Sequence, residues 1–167
     1  MRKVTIVGIL VIGCLLNACS GDGKSATATS QDENPPQPEN CVATQPDMLG
    51  PFYIPGAPER SRVGSGYVLS GKVLSANGCV PIPGARIELW MAGPDGEYTD
   101  DYRATIFSET DGSYRFESSV PIPYESRPPH IHLKVITADF VDLVTQHYPA
   151  AGQTEAEFNL VLTPGED

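Results

Sequence analysis

The chain predicts an all-β domain, an antiparallel β-sandwich of about seven or more strands. Three observations carry that expectation. From Tyr67 onward, short stretches rich in Val, Ile, Leu, Tyr and Phe are separated by Gly, Pro, Asn and Asp. Turn signals at Asn77-Gly78, Pro94-Asp95-Gly96 and Asp111-Gly112 fall between those stretches. No helical period persists through them.

Each expected strand has its own warrant. Tyr67 to Leu74 is apolar and partly β-branched up to the Asn77-Gly78 turn. Ala85 to Trp90 alternates in Arg86-Ile87-Glu88-Leu89-Trp90, so one face is expected to meet a core and the other solvent. Ala104 to Ser108 and Ser113 to Glu117 are two further short stretches, separated by the Asp111-Gly112 turn. His130 to Thr137 alternates again in His132-Leu133-Lys134-Val135, and Phe158 to Leu162 closes the set. Residues 41–167 are one domain by length.

The first forty residues carry a different message. Arg2 and Lys3 precede an apolar run from Val4 to Leu16, too short to span a bilayer and right for the core of an export signal. The run ends in Leu16-Asn17-Ala18-Cys19, which resembles a bacterial lipoprotein box, with residues 1–18 removed and Cys19 lipidated. Residues 19–40, mostly Gly, Ser, Thr, Gln, Pro and acids, have nothing to bury and read as a disordered tether. The expected location is the bacterial cell envelope, with the membrane touched only through the lipid anchor.

The formal charge of −10 argues against nucleic acid and against an anionic membrane surface as partners. Of the four cysteines, Cys14 leaves with the signal and Cys19 takes the lipid. Cys41 and Cys79 are left to pair as a disulfide in an oxidising compartment.

Arg127-Pro128-Pro129-His130-Ile131-His132 is hard to explain without a metal. Residues two apart on an extended chain face the same way, so His130 and His132 converge on one ion. Two neutral imidazoles suit zinc, copper, iron or nickel, and no free thiol is at hand, so oxygen must complete the site. The acids nearby are Glu125, Asp139 and Asp142; the other oxygen donor is Tyr124, on the loop that delivers His130. A phenol gives up its proton near neutrality only to a strong Lewis acid, because its ordinary pKa is about 10. Two phenolates would call for a trivalent ion such as Fe(III). Asp-Gly-x-Tyr occurs twice, at Asp95 to Tyr98 and at Asp111 to Tyr114, and local sequence does not separate a functional tyrosine from a packed one.

Trp90-Met91-Ala92, Gly96-Glu97-Tyr98, Thr110-Asp111-Gly112-Ser113-Tyr114, Tyr124, Arg127-Pro128-Pro129-His130-Ile131-His132 and Thr145-Gln146-His147-Tyr148 resemble, in order and spacing, the intradiol ring-cleavage dioxygenases. The likeness extends from about Cys41 to Leu162, and Gly50-Pro51-Phe52-Tyr53 resembles the segment leading into their sandwich. It implies a non-haem Fe(III) centre bound by Tyr98, Tyr124, His130 and His132, with Tyr114 structural. It implies an aromatic diol and O2 as reactants, cleavage between the hydroxyl-bearing carbons and a muconate-type diacid. Tyr124 would leave the metal and take a substrate proton, Arg127 would stabilise charge on the ring, and Gln146 would position substrate or oxygen. Pro51 and Tyr53 would line the mouth, and His147 would not be a ligand.

Two rival readings remain at this point. Ser70-Gly71-Lys72-Val73 and Val80-Pro81-Ile82-Pro83-Gly84-Ala85 also resemble transthyretin-like envelope binding modules, which need no histidine pair. A zinc or copper hydrolase or carrier would use the pair with a carboxylate in place of the phenolates.

Overall fold

A computed structural model of the protein describes residues 41–165. The signal segment 1–18, the lipidation site Cys19 and the tether 19–40 lie outside the described residues. Eight strands form: β1 (Gly66–Ser75), β2 (Arg86–Trp90), β3 (Arg103–Phe107), β4 (Ser113–Ser119), β5 (Ile131–Ile136), β6 (Leu143–His147), β7 (Glu155–Glu157) and β8 (Leu160–Leu162). One sheet has the order β4-β1-β7, with β8 also on β1; the other runs β3-β2-β5-β6.

The second sheet is antiparallel throughout. In the first, β4 is antiparallel to β1 while β7 and β8 run parallel to it. The stretch expected as one strand from Phe158 to Leu162 is therefore two short ones, with Phe158 and Asn159 between them. The break has a local cause: the Phe158 carbonyl lies 2.3 Å from where a side chain on Gly71 would begin, so the chains meet here only because residue 71 is glycine. The Tyr114 hydroxyl donates to the same carbonyl at 2.5 Å.

Between the sheets lies the core, with Tyr67, Leu69, Val73 and Phe116 facing Ile87, Leu89, Ile131, Leu133 and Val135. Cys41 is joined to Cys79, 38 positions away, and so pins the entry of the domain to the turn after β1. Replacing both cysteines by serine should cost about 2–4 kcal/mol, because the open chain regains the loop entropy. Urea denaturation of the two proteins checks this through the midpoint.

The outer face of β3-β2-β5-β6 is not the solvent face that alternation led us to expect. Residues 44–62 cross it as a strap. Asp47 N–H donates to the Val144 carbonyl, Thr145 Oγ1 to Gln45, Thr105 Oγ1 to Ala57, and Arg60 N–H to Thr105. Under the strap lie Glu88, Thr105 and His132, polar or charged side chains that are all buried. Glu88 keeps its partners there, accepting 2.5 Å from the Tyr53 hydroxyl and pairing with Arg86.

Candidate metal centre

Strand register sets the floor of the site. Trp90 pairs with Arg103 on one side and His132 on the other, and His132 pairs with Gln146, so these four side chains stand in a row under the strap. The Trp90 ring stacks on the His132 ring at 4.8 Å and 8°, which holds the imidazole in one plane. Gly50 passes over the other side of that ring at a φ of +72°, and a side chain there would begin 3.0 Å from His132 Cε1. Glycine therefore satisfies the backbone and the close approach together.

His130 stands one residue before β5, and its ring is fixed by Nδ1, which donates to the Pro128 carbonyl at 2.7 Å. That bond leaves Nε2 as the bare nitrogen. His130 Nε2 and His132 Nε2 are 3.1 Å apart. The Tyr98 hydroxyl, delivered by the loop after β2, lies 3.1 Å from the first and 3.4 Å from the second. Three donors at these separations are spaced as neighbours around one ion with bonds of about 2.0–2.1 Å. Among the described residues, His132 Nδ1 and Trp90 Nε1 have no hydrogen-bond partner.

Burial sets the protonation of the triad. It pushes the Tyr98 phenol up to about 12. Burial, then His130 and Arg127, pushes His132 down to about 3. Burial also lowers His130. Both imidazoles are thus neutral near pH 7, the form that binds metal, whereas Tyr98 keeps its proton unless a cation takes its place. Among the described residues no group of three His, Cys, Asp or Glu side chains could hold a metal, so the phenol is the available third donor.

The same histidines make a stability prediction. His147, facing the core, hydrogen-bonds the Tyr67 hydroxyl at 2.6 Å, and burial lowers its pKa as well. The unfolded chain protonates these rings near pH 6.5 while the folded chain resists to lower pH, so stability is full above about 6.5 and falls below it. His132 alone should cost about 2 kcal/mol by pH 5. Thermal melts of the metal-free protein between pH 8 and pH 5 should show a falling midpoint, and a flat profile would contradict the buried, neutral state of the rings.

Around the triad opens a pocket of about 380 Å³ whose lining includes Pro51, Phe52, Tyr98, Tyr124, Glu125 and Arg127. Phe52 stacks on Tyr98 at 4.4 Å and 12°, and Tyr124 packs edge-on against both. Tyr124 and Arg127 exchange backbone hydrogen bonds of 3.2 and 2.9 Å across a two-residue turn. Arg127 Nη2 donates to Gln146 Oε1 at 2.7 Å and to the Tyr148 hydroxyl at 2.8 Å. Gln146 Nε2 donates in turn to the Met48 carbonyl of the strap.

The structure thus brings Tyr98, His130 and His132 together and sets Tyr124 and Arg127 in the same pocket. The Tyr124 hydroxyl makes no hydrogen bond to the other three donors, so it stands beside the triad. Gln146 sits behind Arg127. Tyr53, expected at the mouth, packs on Trp90 at 5.1 Å instead and is turned towards Glu88. Of the acids considered as ligands, Asp142 pairs with Lys134 and Asp139 occupies a turn at a φ of +66°. Sequence reasoning missed Arg103, which is buried and donates to the carbonyls of Phe52 (2.5 Å) and Tyr98 (3.2 Å).

A family profile described as "Dioxygenase" matches residues 56–159. The chain is 29% identical over 143 residues to a chlorocatechol 1,2-dioxygenase of Pseudomonas sp. (strain P51), covering 65% of this chain and 57% of that protein. It is 30% identical over 148 residues to a hydroxyquinol 1,2-dioxygenase of Rhodococcus opacus, covering 69% and 49%. The chain therefore spans about half the length of the curated relatives it matches. Among solved structures, the dioxygenase domain of a dioxygenase carbohydrate-binding protein fusion from Streptomyces sp. SirexAA-E superimposes with a TM-score of 0.67 at 26% identity. That match covers 74% of this chain and 100% of the domain.

Proposed function

Because the chain belongs to this dioxygenase family, we propose that it is a non-haem ferric enzyme that cleaves a catechol-type diol between its hydroxyl-bearing carbons. Both atoms of O2 would enter a muconate-type product. The observation that carries the reading is the convergence of Tyr98 Oη, His130 Nε2 and His132 Nε2 within 3.1–3.4 Å. Ferric iron bound there would supply a Lewis acid that favours the doubly deprotonated diol and primes its ring to react with O2.

The chain's own groups do the rest. His130 and His132 are held as neutral donors by the Pro128 carbonyl and by the Trp90 stack. Tyr124 would be a second phenolate holding the ion and then the base: with its own proton lost to solvent when the ion binds, its Oη would take a proton from an incoming hydroxyl as it lets go. Partial burial, then Glu125 and Glu97, raise its pKa, so that proton stays on. Arg127 keeps its guanidinium on the pocket wall, where it offsets negative charge developing on the ring, and Gln146 aims it. Gly50, Pro51 and Phe52 shut one side of the pocket against water.

Among the described residues no carboxylate joins the histidine pair in a group that could hold a metal, as the zinc reading requires. The binding-module reading leaves the triad without a purpose. We also place the enzyme at the bacterial envelope on a lipid at Cys19, on the strength of residues 1–19.

The test is the visible spectrum of the protein with ferric iron during aerobic titration with catechol. A phenolate-to-iron band that shifts on addition, followed by oxygen uptake and a muconate product, is the expected result. A colourless protein that takes up no oxygen would overturn the proposal.

A further inference from the structure

We infer, resting on the catechol-cleaving reading above, that the pocket selects ring diols bearing a cationic side chain and that Glu125 makes the selection. The volume of about 380 Å³ falls in the range of roughly 300–1,000 Å³ that encloses drug-sized ligands, so a ring held at the triad leaves room for a substituent. What that substituent meets is set by the turn. Arg127 stands at its base, with its guanidinium committed to Gln146 and Tyr148. Glu125 stands at its tip, exposed, on the pocket lining, and in no ion pair among the described residues.

Charge inside the pocket is therefore graded. The end at the triad is suited to a dianionic ring, and the guanidinium there is already hydrogen-bonded. The outer end carries an uncompensated carboxylate, and Glu97, beside Tyr98, adds a second negative charge near Tyr124. The packed rings of Phe52, Tyr98 and Tyr124 line the same pocket. An ammonium group on a short tail is attracted both by aromatic faces and by the carboxylate beyond them. A carboxylate on the same tail would be repelled. Glu125 also holds a φ of +50°, a conformation that glycine or asparagine adopts more readily. Glutamate at that position has a use for its side chain that offsets the backbone cost. The formal net charge of −10 on the full chain draws cations towards the protein.

Three probes of similar shape separate the possibilities: dopamine (cationic), 4-methylcatechol (neutral) and 3,4-dihydroxyphenylacetate (anionic). Anaerobic titration of the iron-loaded full chain reads each affinity from the visible band, and calorimetry on the metal-free protein reads the same order without the metal. Dopamine should bind about threefold or more tightly than the neutral probe and about tenfold more tightly than the anionic one at low salt. High salt should compress both ratios. In Glu125→Gln the dopamine preference should shrink towards one, and in Glu125→Lys the order should invert. Glu125→Gly, which suits the turn, guards against a backbone that fails to form and should behave as the Gln variant does. Ratios unchanged in all three variants, or a wild-type preference for the anion, would overturn the inference. A band shift by all three probes with equal affinity would overturn it alone. No shift with any probe would overturn the dioxygenase reading and this inference with it.

Discussion

Replacing Tyr98 by phenylalanine should leave a folded protein that has lost its phenolate-to-iron colour and all but a trace of oxygen uptake. Among the described residues the Tyr98 hydroxyl hydrogen-bonds His130 and His132 alone, so its removal leaves no other donor or acceptor there unpaired. The ring keeps its stack on Phe52 in the variant. What goes is the anionic donor of the triad, and with one phenolate in place of two the preference for a trivalent ion weakens. Ferric affinity and turnover should each fall by more than about a hundredfold, beyond what removing a supporting outer-shell partner costs. The second Asp-Gly-x-Tyr motif provides the control. Tyr114 is buried, and its hydroxyl donates to the Phe158 carbonyl, so Tyr114→Phe should lose about 1–2 kcal/mol of stability and keep the band. Equal effects of the two substitutions on colour would remove Tyr98 from the centre.

That contrast also shows where local sequence runs out. Both tyrosines follow the same Asp-Gly-x turn, and the polar residues beside each give no local sign of which one is packed. What separates them is the face each meets: Tyr114 belongs to β4 and points into the core, while Tyr98 lies on a loop that the strap folds over the histidines. The pair spacing of His130 and His132 was legible because it needs only an extended chain. Most of β1 to β5 were legible because their inward residues are apolar and their ends are turns.

The strap explains most of what was not legible. By covering the outer sheet face it turns positions that alternation assigns to solvent into buried ones, among them Glu88, Thr105, His132 and Gln146. It also hid β6. Leu143–His147 reads Leu-Val-Thr-Gln-His, too polar for a strand buried on both faces, and nothing local says that the strap and the core will satisfy its polar side chains. A segment of 44–62 without a strand of its own carries no periodic signal. Its fit to the sheet depends on single contacts such as Gly50 over His132 and Tyr53 on Glu88.

Arg103 is the residue through which the strap reaches the metal site, and its loss should be the largest stability effect among the sheet residues. The side chain is 5% exposed, and Asp100, the acid it pairs with among the described residues, is out in solvent. Its value lies in two carbonyls: Phe52 on the strap and Tyr98 on the ligand loop. One planar guanidinium bridges both, which sets Phe52 against the Tyr98 ring and fixes the direction from which the phenol enters the site. Arg103→Met matches the bulk and leaves both carbonyls without a charged donor, a loss of about 3–6 kcal/mol at roughly 1.5–3 each. Lysine carries one ammonium in place of the fork, so Arg103→Lys should recover part of the stability but not the joint hold on both carbonyls. A purely structural role would stop there. A positioning role makes a further demand: in Arg103→Lys, assayed well below its melting temperature, the phenolate band should broaden or shift and kcat should fall while the protein remains folded. An unaltered band and kcat in a folded Arg103→Lys protein would confine Arg103 to holding the strap in place.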